Sequence, residues 1–200
     1  MITAVFSQKG GVGKTTTAVH LVRAMASLNK KARPLLLDID EQAASKLFSR
    51  KLKGVQVEVL MPLALAGAAE DAKGRATVID CPPSLLSARP ALALADVVLI
   101  PMQPEMASLS VTDEIIAEIA EEFPRARIRV LLTMWGNAPD MKQVKAEAQA
   151  AFGERFLPVS INRHHAVRRA SMEGKTVFDY EPDSIPARQY LRVLRLLQEV

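Results

Sequence analysis

Several residue types are scarce in this sequence, and each scarcity excludes a class of protein. The 200 residues include a single cysteine, Cys81, which excludes an internal disulfide and an all-cysteine cluster site, so a reducing compartment is expected. The longest apolar run, residues 90–102, is interrupted by Asp96 and is shorter than the roughly 18 residues of a membrane helix. The amino-terminal segment has no basic start or cleavage site of a signal peptide. We therefore predict a cytosolic protein with no membrane partner.

One long segment of the sequence lacks acidic residues, and another lacks basic residues. No Asp or Glu occurs before Asp38, and no Lys or Arg occurs between Arg89 and Arg125, where acidic residues gather. The formal net charge of +4 is small, but the field of a protein follows the distribution of its charges more than their sum. We expect one acidic face and one basic face.

Short apolar segments rich in β-branched residues alternate with longer segments of helical period, which is typical of parallel βαβ units. The predicted strands are residues 2–7, 34–39, 75–79, 96–101 and 128–134. One helix is predicted directly after the first strand, and the others are residues 110–122, capped by Ser110, 140–152 and 186–199. With no linker in the sequence, we predict one domain, 1–200, of α/β class with a doubly wound, mostly parallel sheet and helices on both faces.

The first predicted strand leads into a glycine-rich loop, Lys9-Gly10-Gly11-Val12-Gly13-Lys14-Thr15, followed by Thr16. Successive backbone N–H groups in such a loop, and the N-terminus of the helix that follows, attract a polyphosphate. Lys14 is placed to reach the β- and γ-phosphates, and the hydroxyl of Thr15 is placed to ligate Mg²⁺. The strict form of the loop has a glycine where Gln8 stands. The pattern predicts a site for ATP and Mg²⁺.

Three carboxylates follow predicted strands. Asp38 and Asp40 close the second strand, and Asp80 closes the third. Ligands of a doubly wound sheet bind beyond the carboxyl ends of its strands. We therefore expect these side chains to converge on the glycine-rich loop.

The run SQKGGVGKTTT (residues 7–17) resembles the deviant phosphate loop of the ParA/MinD family of ATPases, in which a glutamine at the position of Gln8 is expected. The likeness extends along nearly the whole chain, through LLLDIDEQ (35–42), VIDCPPS (78–84), IPMQPE (100–105) and GKTVFDY (174–180). Two residues depart from the family pattern. Glu41 stands where the family usually has proline, and Ala44 stands where asparagine is common.

The resemblance implies a role for each polar residue of the loop and strand ends. Lys9 would reach across an ATP-bound sandwich dimer to the phosphates of the partner subunit. Asp40 would orient the attacking water, Asp80 would hold Mg²⁺ through a water, and Asp38 would support the same site. The chemistry implied is in-line attack on the γ-phosphate by a weak ATPase that a ParB-like or cargo adaptor protein stimulates.

The resemblance also implies sequence-independent DNA binding in the ATP state and a location on the nucleoid, which require basic side chains facing phosphates. The candidates fall into two groups: Arg163, Arg168, Arg169 and Lys175 in one stretch, and Arg188, Arg192 and Arg195 at helical spacing. An ordinary solvated helix face is the alternative. No catalytic role is predicted for His164 and His165.

Several branches of the family are excluded by what the chain lacks. Cys81 alone cannot hold the shared iron–sulfur cluster of reductase-type members. Segment 186–200 is interpreted as the last helix of the domain rather than as a lipid-binding helix. A ParA-type partitioning or positioning ATPase remains, with its cargo and adenine contacts unassigned. Two alternatives stay open: an ATP-dependent biosynthetic ligase on the same loop, and a module that binds nucleotide without turnover.

Overall fold

The computed structural model describes residues 1–29, 31–40, 42, 45–49, 52–71 and 74–199. Glu41 and Ala44, the two departures from the family pattern, lie outside the described residues. The strands of the described part are β1 (Ile2–Val5), β2 (Leu35–Asp38), β3 (Gln56–Val59), β4 (Thr77–Asp80), β5 (Val97–Met102), β6 (Arg127–Trp135) and β7 (Phe156–Asn162). The α-helices are α1 (Lys14–Leu28), α2 (Lys46–Ser49), α3 (Leu65–Asp71), α4 (Leu85–Leu94), α5 (Met106–Glu122), α6 (Pro139–Phe152), α7 (His165–Met172), α8 (Val177–Tyr180) and α9 (Ile185–Gln198).

The strands form one seven-stranded sheet in the order β3-β2-β4-β1-β5-β6-β7, and every neighbouring pair is parallel. β1 lies in the middle, with Val5 opposite Asp80 of β4 and Leu99 of β5. β4 therefore ends level with β1, whereas β5 continues three residues farther, to Met102. The predicted fold class, a doubly wound parallel sheet, is confirmed.

Helices cover both faces of the sheet and bury a core on each. Side chains of α3, α4, α5 and α6 pack on one face, and side chains of α1, α2, α7, α8 and α9 pack on the other. Because helices cover both faces of the sheet, the side chains of the central strands are buried on both faces. All residues of β4 and β5 are buried. No helix of the described chain is both long and apolar enough to cross a membrane.

The last helix is packed as the domain's own element. Val193, Leu194 and Leu197 of α9 are buried against β7 and α1, whereas its arginines are exposed. Its apolar stripe is therefore used inside the protein, as the sequence predicts.

Exposed residues of opposite charge occur on the two layers of helices. The acidic residues Asp113, Glu114 and Glu118 of α5 are exposed on one layer. Exposed arginines of α7 and α9 belong to the opposite layer.

The structure contains two strands and five helices that are not predicted, and one predicted cap is wrong. β3 is not predicted because it is a short edge strand with polar residues. β7 is not predicted because it contains Pro158, and proline is tolerated in a strand mainly at the edge of a sheet. The cap predicted at Ser110 is wrong. α5 begins four residues earlier, at Met106 after an extended Glu105, because Ser108 and Thr112 already belong to its buried face. Helices α2, α3, α4, α7 and α8 are also additions to the prediction.

A buried histidine joins α1 to the C-terminal segment. Nδ1 of His20 lies 2.6 Å from the carbonyl of Thr16, and Nε2 accepts the backbone N–H of Val177 at 3.2 Å. The ring stacks on Tyr190 with centroids 4.6 Å apart. Burial lowers the pKa of His20 to about 4, so the ring is neutral, with its proton on Nδ1.

We expect His20 to contribute a measurable pH dependence to stability. Its folded pKa of about 4 lies below the ordinary value of 6.5, so the unfolded chain takes up the proton first as the pH falls. The stability that neutral His20 contributes is complete above pH 6.5 and is lost as the pH falls toward 4. Between about pH 7.5 and pH 5, wild type should lose about 2 kcal/mol of unfolding free energy that a His20→Gln variant keeps. Urea unfolding at both pH values tests this, and equal losses in the two proteins would contradict it.

Candidate nucleotide-binding site

The loop between β1 and α1 has the backbone shape that its glycines allow. Gly11 and Gly13 adopt left-handed φ angles of 76° and 92°, which residues with a side chain adopt at a cost. A Cβ atom added at either position would meet no atom within 4 Å. Glycine is therefore favoured at these two positions by the left-handed backbone conformation and not by a lack of space for a side chain.

Two side chains from neighbouring strands hold the carbonyl groups of this loop. The hydroxyl of Thr133 in β6 donates to the carbonyl of Val12 at 2.9 Å, and the amide of Gln103, after β5, donates to the carbonyl of Gly11 at 2.9 Å. In a trans peptide the C=O and the next N–H point in opposite directions. Fixing these two carbonyls on the protein side therefore turns the N–H groups of Val12 and Gly13 away from it. Sequence reasoning missed both residues, although each is a polar residue at or near the end of a strand.

The two lysines of the loop point in different directions. Nζ of Lys14 lies 3.5 Å from the carbonyl of Lys9 and thus folds back over the loop. The ammonium group of Lys9 instead forms an ion pair with Glu105 and donates to the hydroxyl of Ser108 at 3.2 Å. One cation therefore covers the loop, and the other lies at the surface beside the start of α5.

Asp80 is a buried carboxyl group at the end of β4. Neither of its oxygens has a hydrogen-bond partner of normal geometry among the described residues. Its pKa is raised to about 8, mainly by burial and also by the negative charges of Asp38 and Asp40, while the nearby Thr15 hydroxyl and Lys14 ammonium lower it. The protein's own groups therefore do not compensate the burial of a negative charge at this position.

Asp38 organises the loop that follows β2. It is fully buried, and its two carboxylate oxygens accept the backbone N–H groups of Asp40 at 3.0 Å and Ser45 at 3.1 Å. Asp40 is partly exposed, and one of its oxygens accepts the N–H of Gln42 at 3.0 Å. Asp38 thus acts on the backbone that presents Asp40, and the structure brings both near Asp80, as expected from the strand ends.

A cavity of about 740 Å³ opens beside the loop. Val12, Gly13 and Thr16 line one side, and residues at or just beyond the carboxyl ends of β6 and β7 line the other, including Met134, Asn162 and His164. His164 and His165 stack on each other with ring centroids 4.3 Å apart. The sequence analysis leaves the residues that contact adenine unassigned. The lining of this cavity comes from segments that are far apart in the sequence.

The basic residues predicted to bind DNA lie around two cavities, and Asn162 lines both of them. Arg163, Arg168 and Arg169 line the cavity beside the loop, and Lys175 is paired with Glu173 at 2.7 Å. The other group lies around a second cavity, which Arg188 and Arg192 line, with Arg195 farther along α9.

The site fits a nucleotide held with Mg²⁺. The described residues contain no group of three or more His, Cys, Asp or Glu side chains that would form a metal site by themselves. Mg²⁺ usually takes one or two protein ligands and completes its octahedron with phosphate oxygens and water. Thr15 and the unpartnered carboxyl group of Asp80 are the protein groups that would hold it here.

Comparison with known proteins agrees with this geometry. The family model described as CobQ/CobB/MinD/ParA nucleotide binding domain matches residues 3–177. The chain is 34% identical to the chromosome-partitioning ATPase Soj of Thermus thermophilus, over 95% of this chain and 92% of that protein. It is 32% identical to the maintenance of carboxysome distribution protein A of Gloeobacter kilaueensis, over 90% and 84%. The septum site-determining protein MinD of Pyrococcus horikoshii, solved with Mg-ADP, has a TM-score of 0.80 at 18% identity and covers 99% of this chain and 96% of its own.

We expect Asp80→Asn to stabilise the protein in the absence of nucleotide. The folded pKa of about 8 exceeds the ordinary 3.8, so the folded state loses stability relative to the unfolded chain as the pH rises from about 4 to 8. The advantage of the variant over wild type should grow by on the order of 3 kcal/mol between about pH 5 and pH 7.5. Urea unfolding with a chelator present measures it. A variant that is less stable than wild type at the higher pH would contradict this reading, and Mg-ADP should stabilise wild type more than the variant.

Proposed function

The chain belongs to the CobQ/CobB/MinD/ParA family of nucleotide-binding domains and is an ATPase that uses ATP and Mg²⁺, and on this premise we propose that it is a dimerising switch. In the ATP state it pairs with a second copy, binds DNA without sequence preference, and partitions or positions a cargo on the nucleoid. An adaptor protein of ParB-like type on the cargo stimulates hydrolysis. The relatives above 30% identity are named for chromosome partitioning and carboxysome distribution, which supports a cargo-moving role.

The observation that carries the proposal is the position of Lys9. A phosphate loop needs one lysine for its own nucleotide, and Lys14 occupies that position. Lys9 lies at the surface, where it pairs with Glu105. An exposed ion pair of this kind contributes about 0–1 kcal/mol, so the ammonium group can leave it for a stronger anion. A triphosphate in a facing subunit is such an anion.

The same geometry supports roles for the remaining residues. Lys14 and the loop N–H groups would hold the phosphates, and Thr15 and Asp80 would hold Mg²⁺, which when bound would offset charge on the transferred phosphoryl group. Asp40 is held by the Asp38-organised loop with one oxygen bonded to Gln42. Among the described residues its other oxygen has no partner, so it is available to orient the attacking water.

The cavity beside the loop is the place for the adenosine of ATP. Its volume of about 740 Å³ lies within the range of roughly 300–1,000 Å³ that is usual for small-molecule sites. The phosphate loop forms one wall, so the base and the phosphates would occupy adjoining spaces. Arg163, Arg168 and Arg169 would then lie near bound nucleotide as well as near the basic surface.

The two alternatives are less well supported. A biosynthetic ligase on the same fold would need a second substrate site, and the two relatives described above are named for chromosome partitioning and carboxysome distribution instead. A module without turnover would need a displaced Asp40. ATP turnover by the purified protein, with and without nonspecific DNA, separates the three.

Asp40→Ala should bind ATP normally and hydrolyse it about 10²–10⁴-fold more slowly, because the water loses the group that orients it. The dimer should persist as a result. Light scattering with ATP, together with a turnover assay, measures both effects. Turnover at the wild-type rate would show that another residue places the water.

Lys9→Ala should keep ADP binding while losing ATP-induced dimerisation and hydrolysis together, since the ammonium group acts on the partner's nucleotide. Lys14→Gln should lose nucleotide binding itself. Calorimetry with ADP and sedimentation with ATP distinguish the two variants, and Lys142→Ala, an exposed lysine on α6, is the matched control. A Lys9→Ala protein that dimerises normally would refute the switch.

A further inference from the structure

Asn162, the last residue of β7, lies between the two cavities. It lines the large cavity beside the phosphate loop and also the smaller cavity on the side of α9. Its side chain is half-buried, and β7 is packed against α9. Asn162 is therefore a polar link between the wall of the large cavity and the last helix.

The backbone N–H of Asn162 points to the free edge of the sheet. The N–H of the next residue, Arg163, donates to the carbonyl of Trp135 in β6 at 2.9 Å, and the N–H groups of successive strand residues point to opposite sides. On a sheet edge the N–H of Asn162 would thus lack a strand partner. Gln189 of α9 supplies the acceptor, because its side-chain oxygen takes this N–H at 3.0 Å.

This backbone contact fixes the orientation of two side-chain amides. A backbone N–H only donates, so Oε1 is the atom of Gln189 that meets it, and the amino group Nε2 is left for another acceptor. Nε2 donates to Oδ1 of Asn162 at 2.8 Å. If the amide of Asn162 were reversed, two amino groups would face each other without an acceptor. Gln189 therefore determines which end of the Asn162 amide faces α9.

The amino group of Asn162 remains for the large cavity. In the part of the chain that the structure describes, Nδ2 has no hydrogen-bond partner. Gln189 lies on the side of the smaller cavity, so Oδ1 of Asn162 is directed to that side. The wall of the large cavity thus offers a hydrogen-bond donor at this position instead of an acceptor.

A fixed donor suits one kind of atom on an adenine base. The ring nitrogens at the edges of adenine accept hydrogen bonds, whereas its exocyclic amino group donates them. An amide that presents Nδ2 matches a ring nitrogen, and an amide that presents Oδ1 would match the amino group. The direction of the Asn162 amide therefore decides which edge of the base can bind there.

We propose that Asn162 donates from Nδ2 to a ring nitrogen of adenine, and that Gln189 is a positioning residue that keeps the amide turned this way. The assignment rests on the proposed placement of adenosine in the large cavity. It names a base-reading residue of that cavity. It also gives Gln189 a role in nucleotide selection through Asn162, without contact with the base.

Gln189→Glu tests the positioning role because it should reverse the amide of Asn162. A carboxylate that is ionised at neutral pH only accepts hydrogen bonds, so it would take both the backbone N–H and the amino group of Asn162. Oδ1 would then face the cavity and repel a ring nitrogen. By calorimetry, the affinity for ADP should fall about three- to tenfold, the range for one hydrogen bond, whereas the affinity for inorganic pyrophosphate should stay close to that of wild type. Gln198→Glu, the same change at the exposed end of α9, is the matched control and should alter neither affinity.

ADP analogues in which carbon replaces one ring nitrogen, N1, N3 or N7, identify the atom that Asn162 contacts. One of them should bind wild type about three- to tenfold more weakly than ADP does. Asn162→Ala should bind that analogue and ADP with equal affinity. Thermal unfolding without nucleotide checks that the variant folds. Asn162→Asp, which keeps an acceptor for Nε2 of Gln189 but loses the donor, provides the same comparison if Asn162→Ala does not fold.

The outcomes separate this proposal from the proposed function. Wild type that binds ADP no more tightly than pyrophosphate would overturn the placement of adenosine in the large cavity and this proposal with it. Tighter binding of ADP than of pyrophosphate, with Gln189→Glu indistinguishable from Gln198→Glu, would overturn the role of Asn162 and Gln189 alone. Equal losses of ADP and pyrophosphate affinity in Gln189→Glu would also overturn that role, because the pair would then act only on the fold.

Discussion

Binding a polyphosphate with backbone groups requires that several successive N–H groups face the same side, and much of this structure serves that requirement. A free loop would turn its peptide planes at random and lose the cradle. Here Thr133 and Gln103, from β6 and the end of β5, fix the carbonyls of Val12 and Gly11. The position of β1 between β4 and β5 brings those side chains within reach. The left-handed glycines supply the backbone angles.

The same arrangement concentrates unbalanced charge at one edge of the sheet. Asp80 is buried with no hydrogen-bond partner of normal geometry in the part of the chain that the structure describes, and the ammonium group of Lys14 folds over the loop toward the carbonyl of Lys9. In a nucleotide site this imbalance is useful, since groups that already had partners would have to give them up when Mg²⁺ and phosphate bind. The raised pKa of Asp80 is a consequence of this imbalance, because burial favours the neutral acid over the charged carboxylate.

The C-terminal region is coupled to the loop through α1. His20 bonds to the carbonyl of Thr16 within the first turns of α1 and to the N–H of Val177 in α8. Arg23 of α1 forms an ion pair with Asp179 at 2.9 Å. α1, which begins at the loop, is therefore joined to α8 through packed, mostly buried contacts. The basic surface of α9 and the nucleotide site belong to one connected layer of helices.

The sequence by itself determined the class of fold, the phosphate loop and the strand-end carboxylates. These features depend on local patterns: the alternation of apolar segments, the positions of Gly11 and Gly13, and polar residues where a strand must end. Residues close in the chain set them, so they can be seen without coordinates. The resemblance to a known family added roles for Lys9 and Asp40.

Only the tertiary structure decided which distant side chains meet. The support of the loop by Gln103 and Thr133, the wall of the large cavity, and the position of the basic residues around two cavities all depend on the order of the strands. β7 was not predicted because it contains Pro158, which an edge strand tolerates. Contacts between segments 30 to 150 residues apart follow from packing, and no local pattern in the sequence contains that information.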